Sequence, residues 1–450
     1  MKVHFIAMGG SIMHQLAIAL HQKGDVVTGS DDEIYNPARA NLEKHGLLPS
    51  REGWYVENIT SDLDAIILGM HARIDNPELL KAQELGIPIY SYPAYIYEQS
   101  KDKKRVAIAG SHGKTTITAM VMHVLRYWKQ DFDYLVGASL KGFDSSVKIT
   151  KDAPIMIIEG DEYLSSPLHR HPKIHYYFPN IALMTGIAWD HINVFPTFEN
   201  YVEQFHIFAA KMPENGVMVY NEEEELVVEV ANKAKHLQTK SYKTPTFYVK
   251  DAQFVVEHEG TEYPLQIFGR HNVQNMEGAR LICEELGIND QDFFEAVQSF
   301  KGAARRLELV AKGVHSSVYR DFAHAPSKVT ATTHAMNQLN EDRELIACFE
   351  LHTYSSLNKD FLPEYKGALN AAKHGVVFFN DHTFAIKKLP KLSKEEVAAA
   401  FGHPNLQIFT QKNELIAYLK GINYQHKDLL LMSSGTFDQL NLQEIANFVL

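Results

Sequence analysis

The side chains best suited to chemistry stand in one short segment, AGSHGKTT, at positions 109–116. A β-branched, strand-like run precedes this segment and a helical pattern follows it, which is where a phosphate-binding loop must lie. Glycines let backbone N–H groups converge on an anion, and the start of the next helix adds partial positive charge. Lys114 can reach the terminal phosphates of a nucleotide and Thr115 can bind Mg²⁺. The segment predicts a nucleotide-binding loop made of Gly110, Ser111, His112, Gly113, Lys114, Thr115 and Thr116.

The usual phosphate-loop pattern has a first glycine where this chain has Ile108. A chance Gly-Lys-Thr turn is therefore the alternative interpretation. The strand before the loop and the helix after it favour the phosphate loop.

Acidic side chains follow the next buried strand, as a Mg²⁺–nucleotide site requires. The run IMIIEGDE at 155–162 places Glu159 where a strand ends, and GIAWDH at 186–191 places His191 after the following strand. In open α/β sheets, ligands collect at the carboxyl ends of the strands, so these groups are expected to converge on Lys114. Surface acids after a strand are common, and the phosphate loop is what favours a functional role here.

Strand and helix patterns alternate along the whole chain and restart twice. Its 450 residues exceed the roughly 250–300 at which one hydrophobic core stops growing. We predict an α/β protein with three domains in series: a Rossmann-like domain at 1–100, a P-loop ATPase-type domain with a mostly parallel sheet at 101–301, and a C-terminal Rossmann-like domain at 302–450. The polar stretch 98–105 is interpreted as a linker, and 247–267 as antiparallel hairpins at one edge of the central sheet.

Composition narrows the class of protein. Hydrophobic residues make up 45%, charged residues 22%, and the net charge is −11. No apolar run approaches the roughly 20 residues that cross a bilayer, and no basic block exists for a nucleic-acid backbone. The start runs straight into a strand without a secretory leader, so a cytoplasmic location is expected. The only cysteines, Cys283 and Cys348, are predicted to be small buried apolar residues.

Six motifs resemble those of the Mur ligases, in the family's order along the chain. They are GSHGKTT at 110–116, EGDEY at 159–163, WDH at 189–191, GRHN at 269–272, ARR at 304–306 and DFAHAP at 321–326. The opening HFIAMGGSIM, with TGSD at 28–31, is similar to the family's UDP-binding domain, so the resemblance covers essentially the whole chain. It implies an ATP- and Mg²⁺-dependent ligase that joins UDP-N-acetylmuramate to an amino acid or peptide through an acyl phosphate, releasing ADP and phosphate.

Within the family, the first domain resembles the branch that adds L-alanine. The insertion LHRHPKIHYY at 168–177 and the segment LMSSGTF at 431–437 are similar to the branch member that recycles the murein tripeptide L-alanyl-γ-D-glutamyl-meso-diaminopimelate. The alanine-adding enzymes carry an arginine-bearing loop where this chain has FELHTYSSLNK at 349–359, without arginine. The resemblance thus implies the tripeptide as the amine substrate, with L-alanine as the alternative.

The resemblance also implies roles for individual side chains. The catalytic residues are expected to be Lys114, Glu159, His191 and His324, and the metal ligands Thr115, Glu159 and His191. Nucleotide contacts beyond the loop are expected from His271, Asn272, Asn275, Arg305, Arg306 and Asp321. The sugar nucleotide is expected to bind at Gly9, Gly10, Ser11, Ser30, Asp31, His71 and Arg73. For 271–275, capping of the following helix is the alternative, and which of the two arginines reaches phosphate stays open.

Two other classes of protein fit parts of the pattern. An oxidoreductase would use the strand, glycine turn and helix at the N-terminus, but Gly9 and Gly10 lack the third spaced glycine of a dinucleotide site. A non-catalytic nucleotide switch would use the phosphate loop alone. The histidines His169, His171 and His175 match no common zinc spacing and are predicted to lie in an exposed polar insertion. The sequence does not indicate an oligomeric state.

Overall fold

The computed structural model describes residues 1–138, 140, 142–189, 193–250, 253–303 and 306–450. These residues form two compact units. The first comprises Met1–Ile187, Val202–Tyr242 and Leu281–Ile288, and the second Ala188–Tyr201, Lys243–Arg280 and Asn289–Leu450. Within the described ranges, every helix is too short or too polar to cross a membrane.

The first unit opens with a four-stranded parallel sheet in the order β2-β1-β3-β4. Its strands are β1 (Lys2–Ile6), β2 (Val26–Ser30), β3 (Ala65–Leu68) and β4 (Ile89–Ser91). Its helices are α1 (Ser11–Lys23), α2 (Ala38–Lys44), α3 (Pro77–Glu84) and α4 (Tyr92–Ser100), with a 3₁₀ turn at Val56–Asn58. The central strand β3 is buried along its whole length because helices cover both faces of a parallel sheet.

The same unit continues with a seven-stranded sheet in the order β11-β10-β9-β5-β8-β6-β7. Its strands are β5 (Lys104–Ala109), β6 (Phe132–Leu135), β7 (Val147–Lys148), β8 (Ile155–Glu159), β9 (Ile181–Met184), β10 (Val217–Asn221) and β11 (Gln238–Tyr242). Its helices are α5 (Lys114–Tyr127), α6 (Phe198–Ala210) and α7 (Glu225–Lys233), with a 3₁₀ turn at Lys173–Tyr176. Only β7 pairs antiparallel among these strands. Strand β5 lies centrally, so the loop after it meets the carboxyl ends of β8 and β9.

The second unit contains two further sheets. A separate three-stranded antiparallel sheet consists of β12 (Phe247–Lys250), β13 (Gln253–His258) and β14 (Thr261–Leu265). The helices α8 (Arg270–Glu285) and α9 (Asp290–Val297) follow it in the chain.

The last sheet has six strands in the order β15-β16-β20-β17-β18-β19. They are β15 (Glu308–Lys312), β16 (Ser316–Asp321), β17 (Glu344–Glu350), β18 (His374–Phe378), β19 (Leu406–Phe409) and β20 (Lys427–Met432). The helices are α10 (Pro326–Leu339), α11 (Asp381–Lys387), α12 (Lys394–Phe401), α13 (Lys412–Lys420) and α14 (Leu442–Val449), with a 3₁₀ turn at Leu362–Tyr365. All pairs except β15–β16 are parallel. Two apolar clusters pack this sheet, and one includes Phe349 and Tyr365 while the other includes Cys348.

The predicted fold class, α/β with mostly parallel sheets, is confirmed, whereas the domain boundaries stay a prediction. The linker prediction for 98–105 is wrong over most of its length, since α4 extends to Ser100 and β5 begins at Lys104. The buried side chains of Tyr95 and Ile96 hold α4 in place although its end is polar. The hairpins at 247–267 form their own sheet rather than an edge of the central one. Both cysteines are buried, as predicted.

Candidate active site

The phosphate loop joins β5 to α5 through two glycines with left-handed backbone angles. Gly110 has a φ of +117° and Gly113, just before α5, a φ of +79°. A Cβ on Gly110 would stand 2.1 Å from Oγ1 of Thr185, so only glycine fits this position. The N–H of Ser111 donates to the carbonyl of Gly186 at 2.8 Å. The loop is therefore fixed against the residues that follow β9.

Lys114 curls back over this loop. Its ammonium donates to the carbonyl of Gly110 at 2.5 Å and to Oε2 of Glu162 at 2.7 Å. The side chains of Lys114 and Glu162 are only 15% and 2% exposed. Burial acts to lower the pKa of Lys114, but attraction to Glu162 and its neighbouring acids outweighs burial and raises that pKa. The charged ammonium of Lys114 therefore lies at the first turn of α5, next to the loop amides.

Thr115 and Glu159 bring two hard oxygen donors together beside the loop. The hydroxyl of Thr115 donates to Oε1 of Glu159 at 2.6 Å, and the N–H of Gly137 donates to Oε2 at 2.8 Å. Parallel pairing of β5 with β8 sets Ile108 opposite Glu159 and places this carboxylate at the loop. Paired carboxylate and hydroxyl oxygens suit Mg²⁺, whose remaining ligands are usually water and phosphate. Glu159 thus lies beside the loop as expected from the sequence, and the metal role remains a prediction.

The third expected metal ligand, His191, lies outside the described residues. In the part of the chain that the structure describes, no group of three His, Cys, Asp or Glu side chains is arranged to hold a metal ion by itself. Any Mg²⁺ held by Thr115 and Glu159 thus depends on further ligands from elsewhere, such as nucleotide oxygens.

The predicted adenine contacts lie in the second unit, in the first turns of α8. The amide of Asn272 donates to the carbonyl of Phe268 at 2.9 Å, which is a local contact at the helix start. Both Asn272 and Asn275 are buried. Burial lowers the pKa of His271 to about 4, so its ring is neutral at pH 7. The local contact of Asn272 fits the capping alternative, and nucleotide binding here stays a prediction.

Asp321, at the end of β16, shapes the loop that follows. Its carboxylate accepts the N–H of Ala323 at 2.6 Å and also the N–H of Leu307. Burial raises the pKa of Asp321. The guanidinium of Arg306 lies 4.6 Å from the centre of the Phe322 ring.

His324 follows in the same loop, and one of its ring nitrogens, Nδ1, lies 2.8 Å from the carbonyl oxygen of Phe322. Arg305 lies outside the described residues. The nucleotide roles of Asp321, Arg306 and His324 are untested.

The glycine turn of the first domain is closed by an acid. The N–H of Gly9 donates to Oδ2 of Asp31 at 2.6 Å, and burial raises the pKa of Asp31 to about 6. Gly10 immediately precedes α1, whose first residue, Ser11, is exposed. Asp31 and the turn therefore meet at the carboxyl edge of the first sheet, as predicted for a sugar-nucleotide site.

Three other residues predicted at this site differ in their surroundings. Ser30 is buried and its hydroxyl bonds to Glu78, while Nε2 of His4 lies 3.2 Å from the same hydroxyl. Arg73 is 83% exposed and pairs with Asp75. His71 is exposed beyond β3. Ser30 thus has an internal structural role in this state, and binding by all three remains untested.

A cavity of about 250 Å³, which no sequence motif predicts, lies at the carboxyl ends of β17 and β18. Its lining includes Glu350, His352, Asn380 and Lys387. The carboxylate of Glu350 is buried and accepts the N–H of Phe437 at 2.8 Å.

The ammonium of Lys387 lies 4.6 Å from the centre of the Tyr354 ring, and burial lowers the pKa of Lys387. The rule that ligands collect at strand ends would have indicated this place. The cavity therefore presents a carboxylate and an amine to one space.

The insertion at 168–177 departs from the expected exposed segment. His175 is buried, its Nε2 lies 2.9 Å from the carbonyl oxygen of Gln204, and burial lowers its pKa to about 4. His169 and His171 are exposed, as predicted. A buried neutral histidine anchors the end of the insertion.

Comparisons with known proteins decide the family. A model described as "Mur ligase family, catalytic domain" matches residues 2–104, and one described as "Mur ligase middle domain" matches 108–283. A UDP-N-acetylmuramate–L-alanine ligase of Carboxydothermus hydrogenoformans is 30% identical over an alignment of 459 positions, which covers 98% of this chain and 95% of the relative. This chain belongs to the Mur ligase family. This Mur ligase is an ATP-dependent enzyme that forms amide bonds, as the family does.

Solved structures show that this Mur ligase shares the family's fold. A murein peptide ligase from Psychrobacter arcticus superimposes with a TM-score of 0.66 and 22% identity, covering 100% of this chain and 99% of that chain. A UDP-N-acetylmuramate–alanine ligase from Thermotoga maritima gives a TM-score of 0.70 at 22% identity, covering 100% and 98%. Both kinds of ligase are thus similar to this chain in fold.

Proposed function

We propose that this Mur ligase joins the muramyl carboxylate of UDP-N-acetylmuramate to the amine of murein tripeptide or a similar peptide. The contact between Thr115 and Glu159 at the phosphate loop carries the ATP and Mg²⁺ part of the proposal, because it unites two of the three predicted metal ligands beside Lys114. The resemblance of the first domain to UDP-binding domains supports the sugar nucleotide. The reaction consumes ATP and releases ADP and phosphate.

The chemistry follows from the need to activate a carboxylate. An oxygen of the muramyl carboxylate attacks the γ-phosphorus, the bond to the β-phosphate oxygen breaks, and an acyl phosphate and ADP result. The amine then attacks the acyl carbon, loses a proton, and phosphate leaves with the electrons of the broken C–O bond. Both steps gather negative charge on oxygen, so the enzyme mainly positions the reactants and supplies positive charge.

The residues of the loop divide this work. The loop amides and the ammonium of Lys114 hold the β- and γ-phosphates. Thr115, Glu159 and, by resemblance, His191 would hold Mg²⁺, which would neutralise part of the negative charge that develops on oxygen. The turn at Gly9 and Gly10 with α1 holds the uridine diphosphate through backbone N–H groups.

The cavity at Glu350 and Lys387 is the site we propose for the incoming amine substrate. Lys387 suits a carboxylate of the peptide and Glu350 suits an ammonium group. At about 30 Å³ per water molecule, a cavity of about 250 Å³ has room for roughly eight water-sized groups, slightly more than the number of non-hydrogen atoms in L-alanine. The insertion at 168–177 and the absence of arginine from 349–359 favour a peptide, whereas the curated relatives named L-alanine ligases keep L-alanine as the second candidate.

Phosphate release tests the proposal directly. Purified enzyme receives ATP, Mg²⁺ and UDP-N-acetylmuramate with L-alanine, D-glutamate or murein tripeptide in turn. We expect rapid release of ADP and phosphate with the tripeptide alone. Turnover with free L-alanine would overturn the choice of peptide, and AMP as a product would overturn the acyl phosphate.

A variant of the loop tests the role of Lys114. The substitution Lys114→Met is expected to abolish turnover while the dissociation constant for UDP-N-acetylmuramate stays near the wild-type value. Turnover of this variant at the wild-type rate would refute the role of Lys114.

A further inference from the structure

The insertion at 168–177 returns a second lysine to the acidic segment that follows β8. The ammonium of Lys173 lies 2.5 Å from Oδ2 of Asp161. The N–H of Lys173 donates to the carbonyl of Tyr163 at 2.9 Å, and an isolated β-bridge joins Leu164 to Pro172. These backbone contacts join the two ends of the loop between Leu164 and Pro172, and they fix the position of Lys173.

The surroundings of Lys173 hold its charge in place. Its side chain is 14% exposed, and its ammonium lies 5.5 Å from the ring centre of Tyr92 and 5.7 Å from that of Tyr163. Aromatic faces attract a cation most strongly where water is excluded. Burial acts to lower the pKa of Lys173, but Asp161 outweighs it and raises that pKa. Lys173 is therefore charged, and its contacts hold its ammonium in one position.

Lys173 shares its electrostatic environment with the phosphate loop. The ammonium of Lys114 is attracted by Glu162, Asp161 and Glu159, and that of Lys173 by Asp161 and Glu162. Each lysine bonds a different acid: Lys114 bonds Glu162 and Lys173 bonds Asp161. Without Lys173, the charge of Asp161 would lose its bonded partner, and its attraction for the ammonium of Lys114 would increase.

This arrangement matters because Lys114 has to exchange partners. In the structure its donors are directed to Gly110 and Glu162. Phosphate oxygens of a nucleotide in the loop would replace at least part of these contacts. Every additional carboxylate that competes for the ammonium makes that exchange less favourable.

Resting on the proposed use of ATP, we propose that Lys173 is a positioning residue for the nucleotide. Lys173 pairs with Asp161, so Glu162 is the carboxylate that bonds Lys114 and that the phosphates have to displace. The insertion thereby supports ATP binding through the positive charge of Lys173, which acts on Asp161.

A double-mutant cycle tests the pairing. The dissociation constant for ATP is measured calorimetrically for the wild type, Lys173→Met, Asp161→Asn and the double variant, each in the full chain. We expect Lys173→Met to weaken ATP binding at least tenfold when Asp161 is present and less than twofold in the Asp161→Asn background. An equal loss in both backgrounds would overturn the proposal, because Lys173 would then act independently of Asp161.

Two further variants serve as controls for this cycle. Lys173→Arg keeps the positive charge and is expected to bind ATP within about threefold of the wild type; a loss equal to that of Lys173→Met would overturn the proposal. If Lys173→Met does not fold, as judged by circular dichroism, Lys173→Gln replaces it in the cycle. Lys211→Met removes another lysine near an aromatic ring, 5.4 Å from Phe178, and is expected to leave ATP binding unchanged.

The cycle separates this inference from the proposed reaction. A wild-type enzyme that binds ATP in a Lys173-dependent manner but releases no phosphate with any amine would refute the reaction and leave the positioning role standing. An enzyme that turns over the tripeptide, yet responds equally in both backgrounds, would refute the positioning role alone.

Discussion

The ammonium of Lys114 lies 2.7 Å from Oε2 of Glu162, so the amine expected to reach ATP is held by a buried carboxylate in this structure. Glu162 follows β8, and Lys114 opens α5 on the other side of the loop. The pair keeps the amine charged and fixed, but it also occupies a donor that phosphate needs.

Removing the charge of Glu162 is expected to lower the stability of the unliganded enzyme and to increase the stabilisation that ATP provides. Glu162→Gln leaves a buried ammonium without its carboxylate, which lowers the free energy of unfolding by up to about 3 kcal/mol. ATP then supplies the missing negative charge, so the rise in Tm on adding ATP is larger than in the wild type. Differential scanning fluorimetry measures both effects, with the exposed Glu214→Gln as control. An ATP-induced rise smaller than that of the wild type would contradict this view of Glu162.

Adding a methyl group at Gly110 is expected to destroy the phosphate loop. Gly110→Ala meets Thr185 Oγ1 at 2.1 Å in addition to having a φ of +117°. Gly260→Ala is the matched control because it has a φ of +78° and no atom within 4 Å. The control isolates the backbone penalty of about 1–2 kcal/mol. We expect loss of ATP binding only in Gly110→Ala, measured by calorimetry, and equal effects of both substitutions would speak against the close packing.

The acid at the glycine turn is expected to make stability depend on pH. Burial raises the pKa of Asp31 to about 6, above the value near 4 of an unfolded chain. Because the folded protein holds this proton more tightly, its stability falls as pH rises from about 4 to 6. In Asp31→Asn this loss disappears, and the variant gains about 1–2 kcal/mol relative to the wild type between pH 4 and 7. Urea unfolding at several pH values measures the difference, and parallel curves would count against the shifted pKa.

The cavity predicts a selective effect on the amine substrate. Lys387→Met is expected to raise the KM for the peptide about tenfold, since a charge-assisted hydrogen bond contributes about 1.5–3 kcal/mol. The KM values for ATP and UDP-N-acetylmuramate are expected to stay near those of the wild type. Lys388→Met, which alters the exposed next residue, is the control. Steady-state kinetics with an unchanged peptide KM would place the peptide elsewhere.

Much of the fold could be predicted because parallel sheets have a strong local signature. Apolar β-branched runs and helical patterns alternate, and both lengths and positions of strands such as β3 and β8 follow from them. The edge strand β11 was missed because its sequence, QTKSY, is polar and largely exposed. The sequence does not predict the helix α4, because its tyrosines and polar end hide the helical pattern.

The sequence by itself determined the phosphate loop, the acid after β8 and the family, because each depends on neighbouring residues in a fixed order. Only the tertiary structure decided that Lys173 pairs with Asp161, that Asp31 closes the turn at Gly9, and that Glu350 and Lys387 share a cavity. These partners come from separate segments whose approach depends on strand order and loop path. No local pattern encodes such a distance, since it results from the packing of the whole sheet.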